Sequence, residues 1–184
     1  MQGPIPLGMC LAPDRVPQLA PGYDYLELTV ANTLIPLEED SVYALRKAQL
    51  QALRPPIRAF NVFVPAQVRL TGPDVDWALV DVYVRRAIAR AAELGGQVIV
   101  FGSGGARQVP EGFSRALAWG QLVRFLGICA DYAGTQGITI AIEPLNVRET
   151  NIINSYTEGV QLARDVDRAE VRVLADIYHM MMDG

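Results

Sequence analysis

The chain has 184 residues, 51% apolar and 20% charged, and its sixteen basic and twenty acidic side chains leave a net charge of −4. That size and apolar fraction favour one globular domain and exclude collagen-like or disordered readings, while an acidic balance with no basic block excludes nucleic acid as main partner. No apolar run approaches the roughly 18 residues of a membrane helix, and Met1-Gln2-Gly3-Pro4 lacks a basic region ahead of an apolar core, so a cytoplasmic protein without a membrane partner is expected.

In chain order, Ile5 to Cys10 and Asp24 to Val30 read as buried strands, separated by an irregular proline-containing segment from Ala12 to Gly22. A weak helix follows from Glu38 to Ala52 and is stopped by Pro55-Pro56. The third strand runs from Ile57 to Val64. Val80, Val84, Ala87, Ala91 and Leu94 then share one helix face. A fourth strand, Gln97 to Phe101, precedes a helix with Leu122, Phe125, Leu126, Cys129 and Ala133 on one side. After a fifth strand, Ile138 to Glu143, Ser155-Tyr156-Thr157-Glu158 matches a capping box opening a helix with Leu162, Ala163 and Val166 as its stripe. Val171 to Ile177 is the sixth strand. Cys10 and Cys129 sit in apolar contexts and read as buried reduced thiols.

Strands alternating with helices predict a parallel α/β sheet, either doubly wound or a barrel. The first turn after a strand, Ala12-Pro13-Asp14, has no glycine fingerprint for a nucleotide. The spacing instead suits a (β/α)8 TIM-barrel type, of which this chain supplies about six units, residues 1–184 forming a single partial barrel domain.

Strand parity points to candidate chemistry. In Ile138 to Glu143 the isoleucines form one face, and Thr139, Ala141 and Glu143 form the other, smaller and more polar. The same parity groups Arg172, Leu174 and Asp176, so Glu143 and Asp176 both lie at the C-terminal ends of neighbouring strands, where barrel active sites sit. Two such carboxylates suit a divalent cation; an ion pair with an arginine at the barrel mouth is the alternative. Glu27 and Asn61 repeat the habit on the second and third strands, as acids or amides bonded to the backbone or placed near substrate. His179 lies just past a strand end, where a packed or capping role competes with ligand contact. Gly102-Ser103-Gly104-Gly105-Ala106-Arg107 looks like an anion cradle but lacks the lysine of a P-loop, and reads rather as a flexible turn allowing close backbone approach to substrate. The Met180-Met181-Met182 run is apolar filler opening a further helix.

Glu143-Pro144-Leu145-Asn146, Glu149-Thr150-Asn151 and Asp176-Ile177-Tyr178-His179-Met180 together resemble the xylose-isomerase-like TIM-barrel family, in particular its ketose 3-epimerase branch; Phe101-Gly102-Ser103-Gly104 and Tyr25-Leu26-Glu27-Leu28 are similar to the same family. The resemblance implies a metal-dependent sugar isomerase or epimerase that moves a proton beside a ketone through an enediolate. It implies Mn, Co or Mg held by Glu143 and Asp176, with Glu143 also an acid/base residue, Glu149 and His179 bonding the carbonyl end of a sugar, and Glu27 and Asn61 near substrate. The family's remaining metal histidine, second catalytic glutamate and substrate arginine belong to the last third of its barrel, whereas this sequence breaks off at Gly184. Incomplete metal coordination, loss of turnover in a chain of this length and homo-oligomerisation are therefore expected. The alternative is a non-catalytic barrel relative acting as a binding or assembly module. The DNA-repair branch of the superfamily, which needs several histidines for zinc, does not suit a chain whose only histidine is His179.

Overall fold

The computed structural model describes residues 5–182, so the Met1–Pro4 segment behind the leader reading lies outside the described residues. Six strands form one sheet: β1 (Gly8–Cys10), β2 (Tyr25–Thr29), β3 (Ile57–Asn61), β4 (Val98–Phe101), β5 (Thr139–Ile142) and β6 (Val171–Val173). Every neighbouring pair is parallel, and the spatial order is the chain order. A doubly wound sheet reverses its strand order at a switch point; this sheet never does. It is part of a barrel wall.

The helices are α1 (Asp40–Gln51), α2 (Trp77–Glu93), α3 (Gly104–Arg107), α4 (Arg115–Gln136), α5 (Tyr156–Val166) and α6 (Ile177–Met182). Local chemistry sets their ends. Asp76 accepts from the backbone N–H groups of Ala78 and Leu79 to open α2, and Ser155 accepts from Glu158 N to open α5. Gly137, at φ 67°, supplies the left-handed residue that ends α4. In the α5 box the Glu158 carboxylate reaches back to Asn154 N, one residue ahead of the cap, at 2.6 Å.

The isoleucine parity of β5 is realised. Ile138, Ile140 and Ile142 are buried in the layer beneath the helices, together with Val80, Val84, Ala87 and Ala91 of α2 and Leu122, Phe125, Leu126, Cys129 and Ala133 of α4. Phe125 joins Phe63 and Phe101 at ring-centroid distances of 5.8 and 4.9 Å. Each such side chain contributes about 1.5–3 kcal/mol on burial, which makes this layer the rigid base on which the strand ends are held.

Three expectations need correction. The segment from Ala12 to Gly22 is not wholly irregular, because Pro13–Gln18 winds into a 3-10 helix. The sixth strand stops at Val173 rather than Ile177; the chain turns there, and Asp176 caps the start of α6 by accepting from Tyr178 N and His179 N. Cys129 is buried as expected, but Cys10, at the end of β1, is exposed; both thiols are free. Among the described residues no helix is long and apolar enough to cross a membrane.

Candidate functional site

Glu143 follows the last residue of β5, and its backbone N–H donates to Phe101 O at the end of β4. The position is tight. A Cβ at Gly102 would overlap Glu143 Oε2, so a glycine there is what admits the carboxylate. Asp176 arrives from the loop after β6, where its cap to α6 holds one oxygen at 2.7 Å from Tyr178 N. One ligand atom each from Glu143, Asp176 and His179 lies within 4.8 Å of the other two.

The electrostatics of this group are those of an acid pair without a counter-charge of its own. Burial, followed by the charge and contact of Asp176, pushes the Glu143 carboxyl up to about 7, with Arg107 pulling the other way. Two carboxylates this close need a shared proton or a cation between them. The two carboxylate oxygens, with an imidazole beside them, fit a divalent cation of the hard or borderline class.

Arg107 stands behind the pair. It is fully buried and donates to three backbone carbonyls, Phe101 O at 3.2 Å, Glu143 O at 3.0 Å and Ile153 O at 3.3 Å. Burial lowers its guanidinium to about 9. It therefore ties the ends of β4 and β5 together and keeps a positive charge near Glu143. This settles the glycine-rich segment: it is neither a flexible turn nor an anion cradle, since residues 104–107 form a helical turn and Arg107 is turned inward. The close approach its glycines make is to the protein itself, Gly102 to the Glu143 carboxylate and Gly104 to the Glu149 backbone, rather than the approach to substrate expected of them.

Beside the cluster lies a second network. Asn146, buried, donates through Nδ2 to Glu149 Oε1 at 2.8 Å and lies 3.0 Å from His179 Nδ1. Glu149 itself is exposed. Glu27 and Asn61 occupy the neighbouring strands: Glu27 pairs with Cys10 in register, and Asn61 Nδ2 donates to Cys10 Sγ at 3.0 Å. Burial raises the Glu27 carboxyl, against a hydrogen bond from Asn61 that lowers it, and its charge in turn acts on Glu143. Asn61 Oδ1 is buried without a partner. The structure thus brings Glu143, Asp176 and His179 into contact range, places Glu149 one residue away through Asn146, and sets Glu27 and Asn61 on β2 and β3, outside the trio but near enough for the Glu27 charge to act on Glu143. Sequence reasoning quoted Asn146 and Arg107 only as motif letters; a buried polar side chain with several backbone partners is the signal that marks both.

A model of the family described as xylose isomerase-like TIM barrel matches residues 19–184. D-psicose 3-epimerase of Agrobacterium fabrum (strain C58) is 39% identical over 54 residues, 29% of this chain and 19% of that protein. The crystal structure of D-allulose 3-epimerase from Methylomonas sp. in complex with D-allulose is similar with a TM-score of 0.69 and 29% identity, over 88% of this chain and 54% of that one. D-psicose 3-epimerase with D-tagatose from Clostridium cellulolyticum H10 shares the fold at a TM-score of 0.77 and 21% identity, over 97% and 66% of the two chains. The chain spans about half the length of the Methylomonas protein.

Proposed function

The chain belongs to the xylose isomerase-like TIM barrel family, and we propose that it carries part of the site of a metal-dependent ketose isomerase or 3-epimerase. Its relatives are named as sugar epimerases and isomerases. The observation that carries the reading is the convergence of Glu143, Asp176 and His179 at the ends of β5 and β6, with Glu143 pushed up to about 7.

Proton transfer at a carbon beside a ketone needs a group that can take and return a proton near neutrality. Glu143 is the group we assign to it: with no cation bound, burial and the neighbouring Asp176 charge hold its carboxyl up to about 7, and a cation on the same carboxylate would draw it down again. Glu143 and Asp176 would hold Mn, Co or Mg, which supplies Lewis-acid polarisation of the ketone oxygen when bound. His179 and Glu149 sit where the carbonyl end of the sugar would lie, and Glu27 and Asn61 where its more distant hydroxyls would. Asn61 Oδ1, buried and unpartnered, is an acceptor suited to a sugar hydroxyl. Glu143 and Asp176 are two carboxylate ligands, so the remaining coordination positions are filled from outside this pair, and affinity for the cation by this chain alone is weak.

Self-association belongs to the same proposal. Among the described residues β1 and β6 each pair on one side only, and Ile177, Tyr178, Met180 and Met181 are exposed next to the β6 end. These features would equally suit a binding or assembly module, so the test is chemical. With Mn added, a protein that joins this chain to the last two βα units of the barrel should incorporate solvent deuterium beside the ketone of D-fructose or D-tagatose, and the 184 residues by themselves should not. Glu143→Gln should abolish that exchange, and His179→Ala should chiefly weaken sugar binding. Absence of exchange in the wild-type protein, or its survival in Glu143→Gln, overturns the reading.

A further inference from the structure

We infer that Asn146 is a positioning residue that fixes the tautomer of His179, leaving the ring as a hydrogen-bond donor, the part the family resemblance gives it; the inference deepens the sugar-site reading above and rests on it. The orientation of the Asn146 amide is set by two partners that each play a single part. Its Oδ1 accepts from the backbone N–H of Arg148 at 3.0 Å, and a backbone N–H only donates. Its Nδ2 meets Glu149 Oε1 at 2.8 Å, and a carboxylate oxygen accepts. The amide nitrogen, identified in this way, is also 3.0 Å from His179 Nδ1.

A second donor faces the same ring atom. The main-chain N–H of Asn146 points at His179 Nδ1 from 3.3 Å. Two N–H groups converging on one nitrogen leave no place for a hydrogen on it. Nδ1 therefore presents its lone pair, and the ring hydrogen sits on Nε2. Glu149 Oε1 does not reverse this: it is 3.8 Å from Nδ1, beyond hydrogen-bond reach, and takes its hydrogen bond from Asn146 instead.

The consequence is a division of labour. A metal-bound histidine ordinarily donates its other ring N–H to a carboxylate, a carbonyl or a water. His179 has the opposite surroundings, with donors at Nδ1 and a hydrogen on Nε2, so its remaining polar atom has no lone pair for a cation. It is a donor to oxygen. For a ketose that means the carbonyl oxygen or a neighbouring hydroxyl, where negative charge grows as the adjacent proton leaves. Asn146 is a positioning residue: it acts on substrate only through the ring it orients.

His179 is the only histidine of the chain, so 15N-histidine labelling reports one ring without ambiguity. In protein free of metal and sugar, the nitrogen spectrum should show Nδ1 without an attached hydrogen and Nε2 with one; the reverse pattern overturns the inference. Asn146→Asp replaces the side-chain donor by an acceptor in the same place and should bring a hydrogen onto Nδ1. A spectrum unchanged in that variant would show that the side chain does not set the tautomer. A third measurement is independent of how that variant folds. His179→Gln should leave the affinity for Mn2+ alone unchanged, whereas a loss of about 10-fold or more, the size seen when groups supporting a metal site are removed, would tie His179 to the cation and overturn its assignment as a donor to sugar oxygen alone. None of these readouts uses sugar turnover. Failure of deuterium exchange therefore sinks the proposed activity and leaves the tautomer standing, while an inverted tautomer does the reverse.

Discussion

Replacing Glu143 by glutamine should stabilise the metal-free fold above neutral pH while removing the cation site. The carboxyl rises from its ordinary 4.5 to about 7 because burial disfavours its charge and Asp176 repels it. Its folded-state value thus exceeds its unfolded one. Between pH 4.5 and 7 the folded chain holds more protons than the unfolded chain, so stability falls as pH rises through that window and levels off above it. The difference, 7 − 4.5 = 2.5, converts to about 3 kcal/mol at about 1.36 kcal/mol for each tenfold. Glu143 keeps some contact with solvent, and screening brings the figure to about 2 kcal/mol. Glutamine carries no charge to bury and should recover that amount at pH 8 and almost none at pH 4.5. For a chain of this size it corresponds to a rise in Tm of about 4–8 °C. The assay is thermal unfolding by circular dichroism at both pH values in chelator, repeated in excess Mn2+. The ion should reverse the order, because wild type gains about 2.7 kcal/mol at a hundredfold excess over Kd and the variant has lost one of its two carboxylates. A Gln variant no more stable than wild type at pH 8, or with the same shift at both pH values, would refute the account of Glu143 as a buried acid held against Asp176.

Two further substitutions test what stands behind the site. Gly102→Ala places a Cβ on Glu143 Oε2 but only in ordinary contact with Leu145, so Mn2+ affinity should fall about 10–100-fold with little change in Tm; calorimetric titration with Mn2+ checks this, and unchanged affinity would show that the carboxylate does not need the space. Arg107→Met removes the buried donor to Glu143 O and the second donor to Phe101 O and Ile153 O, which keep the backbone N–H groups of Glu143 and Leu145, and should cost about 1–3 kcal/mol in urea unfolding; a loss below about 0.5 kcal/mol would mean that Glu143 O finds another partner.

What was legible in the sequence was what local chemistry decides. Alternation placed Ile138, Ile140 and Ile142 on the covered face of β5, and Ser155 marked the start of α5, because side-chain direction and capping depend on residues within a few positions. The over-long sixth strand has the same origin. The alternation of Val171 to Ile177 persists past the point where the backbone turns, and nothing in the pattern reveals that Asp176 spends an oxygen on the N–H groups of α6. Cys10 was misread because its apolar neighbours in sequence are not its neighbours across the sheet.

The family resemblance implies the roles of the site residues, but the contacts that hold them there span separations that no motif encodes. Arg107 meets carbonyls 36 and 46 residues away, and Asn146 meets a ring 33 residues away. Strand parity predicts that Glu27, Glu143 and Asp176 gather, while the trio whose ligand atoms meet is Glu143, Asp176 and His179, and acid, acid and imidazole by themselves read equally well as three cation ligands. What separates them is the direction of hydrogen bonds at one ring nitrogen. Arg148 N and Glu149 Oε1 orient the Asn146 amide, the amide and its own backbone orient the imidazole, and the imidazole is left with a hydrogen rather than a lone pair to offer. The same letters with an acceptor at position 146 would face the cluster with the opposite chemistry.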